Sequence, residues 1–111
     1  MSKTFEIIEN LKEEYVKFLV DICEIESPTH YKEGVDNVGK YIIEKALEKG
    51  WDVEVFPQKV SGDAVCITMN KDVDAKPICI SGHMDTVHPL GAFGKPAVQI
   101  DGDNIKGPYN R

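Results

Sequence analysis

The spacing of apolar residues changes along this 111-residue chain, and that change limits the fold more than any other feature. Through the first fifty positions apolar residues return every three or four places; from Trp51 they first alternate, over Trp51, Val53 and Val55, and then gather in short runs. Over 4–25, Phe5, Ile8, Leu11, Tyr15, Phe18, Leu19 and Ile22 keep the helical period with Glu and Lys between them, which predicts an amphipathic helix. Thr4 is its expected N-cap, and Ser27-Pro28 its expected stop, because a residue before proline avoids the helical region. A second helix is predicted over 31–49, capped by Thr29, with Val35, Val38, Ile42, Ala46 and Leu47 facing inward and Lys49-Gly50 closing it.

Beyond Gly50, Trp51, Val53 and Val55 alternate with Asp52 and Glu54, a half-exposed strand ended by Pro57. Ser61-Gly62-Asp63 reads as a turn, 64–69 as a strand covered on both faces, 70–76 as a polar loop and 77–82 as the next buried strand. Asp101-Gly102-Asp103, between Ala97-Val98-Gln99-Ile100 and Asn104-Ile105-Lys106, signals a hairpin. The expected class is α/β, with two N-terminal helices packed on a mixed β-sheet. No repeat, low-complexity tract or linker divides the chain, so 1–111 reads as a single domain.

Charge and cysteine usage exclude several functions. Nineteen acidic against thirteen basic side chains leave a net charge of −6, the wrong sign for a surface that displaces counterions from phosphates, so no nucleic-acid partner is expected. No apolar run approaches the roughly 18 residues of a membrane span, and the opening residues lack the apolar core of a signal peptide. The expectation is a soluble, cytoplasmic protein without a membrane partner. Cys23, Cys66 and Cys79 are odd in number and widely spaced, which fits neither a disulfide framework nor a zinc-binding Cys pair; they are expected to be reduced, buried thiols.

The chemistry concentrates in His83-Met84-Asp85-Thr86-Val87-His88-Pro89, directly after the apolar segment 77–82. In open α/β sheets ligands bind beyond the carboxyl ends of strands. In extended backbone His83 and Asp85 share a face while Met84 turns toward packing. A metal-binding histidine is neutral and is usually oriented by a hydrogen bond from its other ring nitrogen to a carboxylate or carbonyl, and Asp85 is placed for that task. His88 is a further candidate, read as a loop-packing or substrate-cleft residue because one loop rarely supplies three metal ligands. His30 reads as surface. Asp101 and Asp103 read as turn formers, since the later Gly and Glu of a calcium loop are absent.

The string HMDTVHP after an apolar strand, followed by Gly91-Ala92-Phe93 and by IDGDNIKGP, resembles the dinuclear zinc peptidase family that includes glutamate carboxypeptidases of the carboxypeptidase G type, aminoacylases, acetylornithine deacetylase and succinyl-diaminopimelate desuccinylase. The helix ending in Ser27-Pro28-Thr29, the helix from Lys32-Glu33-Gly34-Val35 and the following strand pair occur in that family's order. The resemblance implies the first half of a zinc-peptidase catalytic domain. In it His83 is the first zinc ligand and Asp85 the active-site carboxylate that holds its imidazole. The family's two zinc ions, for which cobalt can substitute, share a bridging carboxylate, activate a water and polarise the scissile carbonyl, while a separate glutamate acts as general base. The implied substrates are small peptides or N-acyl amino acids, with dipeptide, acyl-amino-acid and folyl-type substrates undistinguished.

The family pattern after the hairpin is Gly-Pro-Gly-x-x-Asp-x-Lys-Gly-Gly, in which the Asp bridges the metals. Here Gly107-Pro108 is followed by Tyr109-Asn110-Arg111, with Tyr109 where Gly is expected and the sequence stopping one position before that Asp. The general-base glutamate, the other ligands and the family's dimerisation domain are not in these residues. Catalytic zinc generally takes three protein ligands, so the expectation is a catalytically inert fragment. The alternative is a small non-catalytic α/β interaction module, or truncated domain, that uses no metal. Either way an apolar strand without neighbours is a template for another chain, and self-association is expected.

Overall fold

A computed structural model describes residues 2–107. The elements are α1 (Lys3–Glu24), α2 (Lys32–Glu48), β1 (Asp52–Phe56), β2 (Ala64–Thr68), β3 (Gln99–Asp101) and β4 (Asn104–Lys106). The class is mixed α/β: two helices and two separate two-stranded antiparallel sheets, β1–β2 and β3–β4. The expected single mixed sheet under both helices is thereby corrected. Among the described residues the two hairpins each pair internally, and the one parallel pairing is an isolated bridge between Pro28 and Thr86. The chain forms two compact units, one of α1 with the segment from Phe93 onward, the other of Glu26–Ala92.

In the second unit α2 packs on both strands of the β1–β2 hairpin. The helix buries Val35, Val38 and Ala46, as the 3.6-residue period requires, whereas Leu47 lies on the exposed side. Gly50, with φ 76°, ends the helix in the left-handed conformation that frees the last carbonyls for capping. The strands align Val53 with Ile67 and Val55 with Val65. Along β2 only Val65 and Ile67 are half-buried and their neighbours are exposed, so the strand is covered on one face and not, as its apolar sequence suggested, on both. A charged cluster joins the first turn of α2 to the turn before β2. Lys32 Nζ lies 3.0 Å from Asp36 and 2.7 Å from Asp63, and the Asp63 amide donates to Asp36 at 2.8 Å.

The segment 77–82 departs furthest from expectation. It forms no strand, and Ile78 and Ile80 are 91% and 93% exposed. A strand apolar on both faces needs ladder partners and cover, and neither comes to this segment from the described residues. The cysteines also depart from expectation: Cys66 and Cys79 are exposed and Cys23 is half-buried, all three free.

In the first unit Ser2, not Thr4, caps α1, its hydroxyl accepting from the Phe5 amide at 3.4 Å. The helix buries none of its residues fully. Its last residue, Glu24, gathers the chain ahead of β3, accepting from the amides of Ala97 at 3.0 Å and Val98 at 2.8 Å, with Lys95 alongside. The β3–β4 hairpin forms as expected, with Asp101 opposite Asn104 and Gly102 at φ 60°, the positive value a two-residue hairpin turn needs at its first position. No described helix is long and apolar enough to cross a membrane.

Candidate functional site

Residues 83–92 run beside 26–29 within the second unit, and backbone pairing holds the two together. Thr86 N donates to the Ser27 carbonyl at 2.8 Å, and Thr29 N donates to the Thr86 carbonyl at 3.1 Å. Ser27 is buried and its hydroxyl donates to the Met84 carbonyl at 3.1 Å. Further along, the Glu26 carboxylate accepts from the Gly91 amide at 3.1 Å. The Met84 side chain turns toward α2, as the alternation predicts: a Cβ built on Gly39 would lie 3.8 Å from its sulfur.

His83 and Asp85 come together. His83 Nδ1 lies 3.0 Å from Asp85 Oδ1 and 2.9 Å from the Asp85 carbonyl oxygen. Both neighbours only accept hydrogen bonds, so Nδ1 carries a proton, and in the neutral form of the ring the lone pair is on Nε2. The imidazole is 83% exposed, so that lone pair sits at an open surface. On its other side the Asp85 carboxylate accepts from the Thr29 hydroxyl, Oγ1 to Oδ2 at 2.7 Å. That bond, together with the His83 contact, holds the Asp85 carboxyl below its usual range, outweighing the opposing effect of desolvation.

Thr29 was expected to cap α2. It does not: Tyr31 occupies that position without a side-chain cap, and the Thr29 hydroxyl is committed to Asp85 and, at 3.3 Å, to the Thr86 carbonyl. Sequence reasoning missed Thr29 and Ser27 as site residues because Ser-Pro-Thr before a helix reads equally well as a stop and a cap. Only the parallel pairing with 84–86, which no local pattern encodes, separates the two. His88 is half-buried on the same loop and His30 is exposed.

The described residues contain no group of three or more His, Cys, Asp or Glu that could hold a metal ion, so His83, Asp85 and His88 do not form a three-ligand cluster. What they provide is one oriented imidazole, which does not by itself fit a catalytic zinc. Pro108, Tyr109, Asn110 and Arg111, where the sequence departs from the zinc-peptidase pattern, lie outside the described residues. No protein-family model, curated protein or solved structure matches the chain.

Proposed function

We propose that this chain is the N-terminal part of the catalytic domain of a zinc-dependent metallopeptidase or amidohydrolase that cleaves peptide or N-acyl-amino-acid amide bonds. In this reading His83 is a zinc ligand through Nε2, Asp85 holds its imidazole, and His88 lies toward the substrate cleft. The observation that supports it is the His83–Asp85 pair. A proton fixed on Nδ1 by a carboxylate, with Nε2 turned to solvent, is the form a metal-ligating histidine takes. Free cysteines are in keeping with a cytoplasmic setting. One imidazole does not fit a catalytic zinc, so in this reading the other ligands and the general base lie outside these 111 residues, which by themselves are expected to be inert.

The deciding experiment compares two proteins loaded with zinc or cobalt and assayed on dipeptides and N-acyl amino acids. The 111-residue chain should show no turnover. The chain extended through its downstream reading frame should hydrolyse one of these classes and lose that activity with His83→Ala. Turnover that survives His83→Ala, or an extended chain inert toward every class, would sink the proposal. A second reading, a non-catalytic module that associates through its surface, is favoured by one observation: the exposed, alternating Ile78 and Ile80.

A further inference from the structure

We propose that Thr29 is a positioning residue for His83, acting through the Asp85 carboxylate. The terminal torsion of an aspartate is soft, so nothing intrinsic to Asp85 decides which oxygen faces the imidazole. Its side chain is a third exposed, so cover alone does not decide which oxygen that is. The Thr29 hydroxyl does. With its single proton given to Oδ2 at 2.7 Å rather than to the Thr86 carbonyl at 3.3 Å, it pins one carboxylate oxygen and leaves Oδ1 turned to Nδ1 of His83.

Thr29 is itself held from both sides. Its amide donates to Thr86, Pro28 bridges to Thr86 in parallel register, and Ser27 is buried with its hydroxyl on Met84. A segment remote in sequence thus sets the tautomer of an imidazole that is otherwise almost fully in solvent. The hydrogen bond from Nδ1 to the Asp85 carbonyl would leave the ring free to rock; the second bond, to Oδ1, is the one that depends on Thr29.

The use of this arrangement in amide hydrolysis rests on the function proposed above, but the positioning is read without metal or substrate, so the two fail separately. The measurement is the tautomer of His83 in the metal-free 111-residue chain, from the 15N shifts of its two ring nitrogens in the neutral form of the ring. In the unaltered protein Nδ1–H should dominate. Thr29→Val, which keeps the shape and the backbone pairing but removes the hydroxyl, should shift the ratio toward Nε2–H by roughly twofold or more, the size of a modest hydrogen bond. Thr29→Ser should restore the ratio. In an Asp85→Ala background Thr29→Val should change nothing, because the effect runs through the carboxylate. An unchanged ratio in Thr29→Val, or an equal shift in the Asp85→Ala background, overturns the proposal. Should Thr29→Val fail to fold, Thr29→Ala takes its place with the same two outcomes.

Discussion

At Gly34 the backbone of α2 passes the chain entering the site so closely that a Cβ would collide with the Glu26 carbonyl oxygen and lie 2.6 Å from the Tyr31 ring. Two effects oppose each other in Gly34→Ala. Alanine favours the helix by about 1 kcal/mol over glycine, whereas overpacking costs about 1–3 kcal/mol, and the upper end applies where the obstacle is a backbone atom that cannot swing aside. The second effect wins. Gly34→Ala should lower the urea midpoint with the slope unchanged, and because Glu26 leads directly into Ser27 and Thr29 it should also perturb the His83 resonances. Gly39, five residues further along α2, is the internal control. There an added Cβ would meet Val65 at 3.6 Å and Met84 at 3.8 Å, ordinary contact distances. Gly39→Ala should be neutral or stabilising by up to about 1 kcal/mol. If both substitutions behave alike, the close approach at Gly34 is absent in solution.

At the scale of elements, the attachment of α2 to its hairpin is partly ionic, and pH reads it. The Lys32 ammonium holds Asp63 below its ordinary value, with the Gln58 amide adding to it. Asp36 is held low by the Asp63 amide first and by Lys32 second, and Lys32 itself is raised by the two carboxylates. A depressed carboxyl stabilises the fold above its unfolded pKa, near 3.9, and that stability is lost as pH falls through the lower folded value. A raised lysine stabilises below its unfolded pKa, near 10.4, and the contribution is lost as pH rises through the higher folded value. For this cluster the expected profile is flat through neutrality with a fall at each end. Lys32→Met should soften the acid limb and remove this cluster's part of the alkaline one, read as thermal midpoints across pH. Unaltered limbs would mean that the contacts carry no stability, as exposed ion pairs often do. These elements differ in how legible they were. The helices and the DGD hairpin follow from local periodicity and turn chemistry, and both emerged near their expected positions. The His83–Asp85 pair follows from the two-residue alternation. The role of Thr29 and the fate of 77–82 depend on pairings between distant segments, and residue types alone do not encode those. Val-Cys-Ile and Ile-Cys-Ile look alike as sequences, yet the first is paired in β2 and the second is bare.

For the whole molecule the deciding quantity is how little apolar surface is covered. Among the described residues the buried apolar side chains are Val35, Val38, Ala46 and Val98, whereas Phe5, Ile8, Tyr15 and Leu19 of α1 are each more than two-fifths exposed. Ile78 and Ile80 are more exposed still. Apolar side chains scattered singly on a surface are ordinary, but two isoleucines on one segment outside any sheet also leave backbone donors and acceptors open to pairing. That combination favours pairing with another chain over remaining in water, because each added strand satisfies backbone groups and removes apolar area together. The 111-residue chain should therefore sediment as a concentration-dependent mixture rather than as a monomer. Lysines on an edge oppose such pairing, so the double substitution Ile78→Lys with Ile80→Lys should return the chain to monomer while leaving its helical circular dichroism intact. If the chain remains monomeric at high concentration without the substitutions, 77–82 is not acting as a template. If the double variant still associates, the α1 stripe is the next surface to substitute, at Tyr15 and Leu19.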